Sequence, residues 1–259
     1  MGPLLFILYI NDICNTSDIV TFCLFADDTS LLYSDKNVDL AVSILNHELQ
    51  KKHHLALSQQ IMYKCTQIKL YNFCARQYKY DHSFPIILNG AHLKQVRSTK
   101  FLGIHIDENL SWKSHIDVIT AKISKNIGVM NRLKYVLPSS ILLTLYNSFV
   151  LPYLNYSILT WESPTPKCNK LLTLQKRAVR TISKTGLHEH SGTRFANLKI
   201  LKFSDLYHLN LGKFMYKHMN HVLPACFDSC FTLTSNIHSH NTRSTTKKNL
   251  HVSYSRTTI

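Results

Sequence analysis

Ile19-Val-Thr-Phe-Cys-Leu-Phe25, Ala26-Asp27-Asp28-Thr29 and Ser30-Leu-Leu-Tyr33 follow one another without a break. The outer pieces are apolar and favour strands, and the short middle piece is acidic. That pattern predicts two strands joined by a tight turn, with carboxylates at its tip. Neighbouring carboxylates near a packed sheet lose hydration and repel each other. A divalent cation answers both problems, because hard carboxylate oxygens suit magnesium. Metal ions held in this way polarise the attacking and leaving oxygens of phosphoryl transfer. An Asp-Asp turn open to water is the plainer reading, and two acids alone do not decide between the two.

Outward from this centre the chain reads first as mixed α and β, then as helical. Upstream, Leu4 to Tyr9 read as the end of a buried helix or strand, and periodicity alone does not choose. Downstream, Asn37 caps a helix of about Val38 to Leu57, with an apolar stripe of Ala41, Ile44, Leu45 and Leu49. Met62 to Asn72, Phe84 to Leu88 and Lys100 to Ile106 read as strands, and Asn89-Gly90 marks a turn. From Ser114, apolar residues Ile116, Ile119, Ile123, Ile127, Met130 and Leu133 recur at helical steps. Pro138 stops that helix, and Ser139 or Ser140 caps the next, carried by Leu142, Leu145, Tyr146 and Phe149 as far as Pro152. A third helix, about Lys167 to Lys184, sets Leu171, Leu174, Ala178 and Ile182 against a face of Lys167, Lys170, Lys176, Arg177, Arg180 and Lys184. Ser204 caps a fourth helix, through about Val222, and the polar tail from Thr232 reads as loosely ordered.

Composition narrows the partners. The 259 residues carry 30 Lys and Arg against 15 Asp and Glu, a formal charge of +15. Such an excess favours a polyanion, nucleic acid first, although composition alone does not separate it from an anionic membrane surface. Seven scattered cysteines, an odd number, do not read as a disulfide scaffold and point to reduced thiols in an intracellular compartment, nuclear or cytoplasmic. The apolar run at the start has no basic lead or cleavage site and falls short of the roughly 20 residues needed to span a bilayer. No membrane segment is expected. Cys226, Cys230, His238 and His240 lack the spacing of common zinc sites, and His188-Glu-His190 reads as a polar loop.

Gly2-Pro-Leu-Leu-Phe6, Tyr9-Ile-Asn-Asp12 and Phe25-Ala-Asp-Asp-Thr29 stand in an order that resembles the reverse transcriptases of jockey-like and related LINE-type retrotransposons. Phe101-Leu-Gly-Ile104, Ile106-Asp-Glu-Asn-Leu-Ser-Trp112, Leu151-Pro-Tyr-Leu-Asn-Tyr156, Leu174-Gln-Lys-Arg-Ala-Val-Arg180 and His240-Asn-Thr-Arg-Ser244 continue the resemblance over nearly the whole chain. Each piece alone is only suggestive, but the ordered set is specific.

The resemblance implies an α+β fold. Residues 1–112 would be the C-terminal part of a polymerase palm: a β-hairpin with an acidic tip, a helix and short strands. Residues 113–186 would be a helical thumb, and 187–259 a C-terminal helical region with a polar tail. It implies RNA-directed DNA synthesis with two magnesium ions, an RNA template, a DNA primer and deoxynucleotides. Asp27 would bind metal and Asp28 would help to hold or tune it, while Lys64 would protonate the leaving pyrophosphate. Phe101, Leu102 and Gly103 would position the primer end. Six cations, Lys167, Lys170, Lys176, Arg177, Arg180 and Lys184, would face the template–primer backbone, where a solvated basic face is the plainer reading.

Two departures from the family pattern bear on activity. The family uses three carboxylates, and the first belongs to a strand upstream of Gly2, as do the fingers. The stretch Lys52-His-His-Leu-Ala-Leu-Ser-Gln-Gln-Ile61 matches the family run only faintly. This chain is therefore expected to be inactive by itself, with an incomplete metal site. The alternative is a non-catalytic nucleic-acid-binding remnant of a decayed mobile element, and a third reading is a decayed frame with no folded product. Oligomeric state is left open.

Overall fold

The computed structural model describes residues 4, 7, 17–26, 28–58, 69–71, 73, 85–88, 90–162, 168–186, 189, 191–237, 240 and 249–251, with backbone alone for 52–58, 69 and 235. The chain divides into two compact units, 1–115 and 116–259.

In the first unit, β1 (Thr21–Phe25) and β2 (Asp28–Leu32) pair antiparallel, with Phe25 opposite Asp28. Helix α1 (Val38–Ser58) follows, capped as its sequence predicts, for Asn37 Oδ1 accepts from the backbone N–H of Asp39 (3.0 Å) and Leu40 (3.3 Å). The remaining strands are short. β3 (Lys69–Leu70) runs parallel to β6 (Lys94–Gln95), while β4 (Ile87–Leu88) and β5 (Ala91–His92) form a hairpin. Its turn holds Gly90 at φ +73°, the left-handed conformation that Asn-Gly foretells. Val42, Leu45 and Leu49 of α1 pack with Leu70 on buried Ile86, Leu88 and Leu93. Asn46 fastens the same helix to this region, donating to Pro85 O (3.1 Å) and accepting from Ile87 N (2.9 Å).

The single strand expected over Lys100 to Ile106 is instead a hairpin of β7 (Ser98–Phe101) and β8 (Ile104–Asp107). Gly103 in the middle of an apolar run is the physical reason, since it allows a turn where other residues would continue the strand. The strands among the described residues form four two-stranded pairs.

The second unit is helical. α2 (Lys113–Leu133), which begins at the boundary, buries Ile116, Ile119, Ile123, Ile127 and Met130 as the periodicity predicts. α3 (Ser139–Phe149) buries Leu142 and Tyr146, but Phe149 is 53% exposed. Neither serine caps it; Pro138 occupies the cap position. Two short helices, α4 (Leu151–Asn155) and α5 (Ile158–Trp161), lead to α6 (Cys168–Ile182), then α7 (Gly192–Asn197) and α8 (Phe203–Met219). Leu154, Ile158, Trp161, Leu171, Ala178, Val179 and Ile182 are all buried in the core of this unit.

A polar side chain ties three of these helices together. Buried Gln175 on α6 donates to Tyr146 Oη (2.9 Å) on α3 and to Leu201 O (2.8 Å), and its Oε1 accepts from Phe203 N (2.8 Å). Gln175 thus caps α8, where the sequence pointed to Ser204; the Ser204 hydroxyl turns to Asp205 instead (3.2 Å). Among the described residues of the tail, Thr234 N donates to Asn249 O (2.9 Å) and His251 N to Thr232 O (2.7 Å).

Candidate functional site

Phe25-Ala26-Asp27-Asp28 closes β1–β2 with a two-residue turn, since Phe25 pairs with Asp28. Ala26 takes φ +50°, the left-handed value that turns matched to strand twist require. Asp28 begins β2 and is exposed, and Phe25 is 63% exposed beside it. Asp27 and Lys64 lie outside the described residues. Just beyond the hairpin, the Asp35 carboxylate accepts from Asn37 N (2.7 Å), and this backbone hydrogen bond holds its carboxyl below the usual range.

Whether these residues suit a magnesium pair can be asked of the donors themselves. Among the described residues no three His, Cys, Asp or Glu side chains gather as a metal site. Asp28 is the carboxylate the described hairpin offers, so the described donors do not by themselves complete a two-metal centre.

Phe101, Leu102 and Gly103 gather at the tip of β7–β8, where Phe101 pairs with Ile104. Leu102 (φ +45°) and Gly103 (φ +85°) are both left-handed, and this turn is two residues long like the acidic one, in a separate sheet. Phe101 and Leu102 are half-buried and Gly103 is exposed. Its partner strand is anchored beyond the turn. His105 N donates to Nδ1 of buried His115 (3.2 Å), and Asp107 accepts from Ser111 N (2.7 Å) and Ser111 Oγ (3.0 Å).

The cationic helix belongs to the second unit. On α6, Lys170 and Arg177 are exposed and Lys176 and Arg180 half-buried, on the side opposite Leu171, Gln175, Ala178 and Ile182. Lys184 is exposed just past the helix end, at φ +55°, and Lys167 lies outside the described residues. Arg180 is partly committed, because its Nε donates to Glu189 O (2.9 Å). The Glu189 carboxylate in turn bonds Arg194, which holds its carboxyl below the ordinary range. Among the described residues, none of the α6 cations forms an ion pair.

The formal charge of +15 is not evenly spread along the chain. Residues 118–188 hold ten Lys and Arg and one acid, Glu162, so +9 of the +15 falls in 71 residues. A running count of charge finds it. Cys226 and Cys230 lie on an exposed 3₁₀ turn, and His238 lies outside the described residues.

Comparison with known proteins finds the chain similar to RNA-directed DNA polymerases of mobile elements. Two such proteins are RNA-directed DNA polymerases from mobile element jockey. That of Drosophila melanogaster is 24% identical over 217 residues, and that of Drosophila funebris 23% identical over 222. Each match covers 79% of this chain and 23% of the relative, so the chain spans about a quarter of the length of these proteins. This similarity agrees with the jockey-like resemblance of the sequence. No family model and no solved structure matches.

Proposed function

We propose that this chain is the downstream part of a palm, with a thumb, from an RNA-directed DNA polymerase of a jockey-like element. The observation that carries the reading is Phe25-Ala-Asp-Asp28 at a two-residue hairpin turn, in a chain related to such polymerases. In this reading the primer 3′-hydroxyl attacks the α-phosphate of a deoxynucleotide and pyrophosphate leaves. Magnesium, when bound, would neutralise charge on the phosphates and lower the pKa of the attacking hydroxyl. Asp27 and Asp28 supply part of its oxygen ligands. Phe101 to Gly103 set the primer end, Lys64 would by the resemblance donate the proton to pyrophosphate, and the α6 cations hold the duplex backbone without reading sequence. The site belongs to an intracellular enzyme.

Residues 1–259 alone are expected to be inactive, since two carboxylates fall short of the family's three. A primer-extension assay with an RNA template checks this; synthesis that disappears in Asp27→Asn would refute it. A non-catalytic nucleic-acid-binding polypeptide is the second reading, favoured by the exposed cations Lys170 and Arg177 of α6, which among the described residues form no ion pair. Under it, binding survives Asp27→Asn and weakens when Lys176, Arg177 and Arg180 are neutralised.

A further inference from the structure

The turn after α2 presents two large side chains almost wholly to solvent, Tyr135 at 81% and Val136 at 78% exposure. An exposed apolar side chain is ordinary, but two in sequence at a helix turn form a patch. The patch continues up the outer side of α2, where Val129 is 51% exposed. Lys125, Val129 and Arg132 follow at steps of four and three, so they share one edge of the helix, which ends at Leu133 just before the turn that holds Tyr135 and Val136. Lys125 and Arg132 are exposed on that edge. Lys134 Nζ stands over the Tyr135 ring, 4.8 Å from its centroid. At that exposure the opposite ring face is open. From Val118 to Trp161 there is no acidic residue.

Cations alternating with apolar side chains, ending in an open aromatic ring, suit one kind of partner. Backbone phosphates can lie on the cations while an unpaired base stacks on the ring. An apolar protein surface would leave Lys125 and Arg132 without counter-charges, and a duplex would keep its bases inside. We propose that this edge of α2 with Tyr135 binds single-stranded RNA, Tyr135 stacking on an unpaired base. Residues 125–133 of α2 span about 12 Å at helical rise, and the turn with Tyr135 follows directly, room for a few nucleotides. The choice of RNA rests on the polymerase reading above; the stacking geometry is independent of it.

The test uses the whole chain, a labelled oligouridine and a blunt duplex, followed by fluorescence anisotropy. Tyr135→Ala is expected to weaken strand binding by about 5- to 100-fold, with duplex binding unchanged. Tyr135→Phe keeps the ring and is expected to bind as the parent does. Because Tyr135 is exposed, the thermal midpoint of both variants should match the parent. If Tyr135→Ala binds the strand normally while neutralising Lys176, Arg177 and Arg180 still abolishes duplex binding, the stacking proposal fails and the nucleic-acid reading stands. A parent chain that binds neither probe sinks both. Tighter binding to oligodeoxythymidine overturns the choice of RNA. Tyr135-dependent capture by phosphatidylserine vesicles, without RNA binding, overturns the proposal in favour of a membrane contact.

Discussion

Gln175 shows what one side chain can decide. Its amide meets two acceptors and one donor from other parts of the chain, each within 2.9 Å, and it is fully buried. A leucine of similar size would leave Phe203 N–H, Leu201 C=O and Tyr146 Oη without that partner in a dry core. Each such loss costs about 1–3 kcal/mol, so Gln175→Leu is expected to lower stability by roughly 3 kcal/mol or more. Urea unfolding of the variant against the parent measures this; a midpoint equal to the parent's would show the network to be dispensable. Tyr146 adds a pH dependence. Burial raises its phenol pKa above 10.0, and the Gln175 hydrogen bond only partly offsets this. The folded state therefore keeps the proton longer than the unfolded chain. Stability from this group is whole below the unfolded pKa and is lost as pH rises through the folded one. Unfolding followed from pH 8 upward should show a decline beginning near 10 that Tyr146→Phe reduces.

Elements whose cause is local were legible from the sequence, and those with a distant cause were not. The acidic hairpin, the Asn37 cap, the Asn89-Gly90 turn and the α2 stripe each follow from residues a few positions apart. Ser204 was expected to cap α8, but the cap comes from a residue 28 positions away, which no local pattern encodes. Phe149 has helical phase with Leu142 and Tyr146, yet the packing of α3 leaves it outside. At the site, the sequence identified the acidic tip and the α6 face, whereas the Lys100 to Ile106 segment conceals a turn. Gly103 makes that turn testable. At φ +85°, a β-carbon is strained, so Gly103→Ala should destabilise the β7–β8 hairpin by about 1–2 kcal/mol. Faster amide exchange across 98–107 is the expected signature, with α3 and α6 amides unchanged. Equal exchange there would mean that the tip accepts a side chain freely.

Over the whole molecule, charge is the property most closely tied to a partner. The stretch 118–188 carries +9, leaving +6 for the other 188 residues. Burial and local pairing do not consume this excess, because Lys170 and Arg177 stand exposed and Arg180 gives only its Nε to Glu189. Cations that meet phosphates release condensed counterions, so affinity falls with salt at a slope of about 0.9 per phosphate neutralised on duplex DNA. Replacing Lys176, Arg177 and Arg180 with Ala should therefore flatten the plot of log affinity against log salt by about two to three units. The affinity itself would fall most at low salt and converge with the parent's at high salt. A solvated face that touches no phosphate predicts parallel plots for the two proteins. The slope, unlike a single affinity, distinguishes contact from general attraction. It would do so whether or not the chain ever joins two nucleotides.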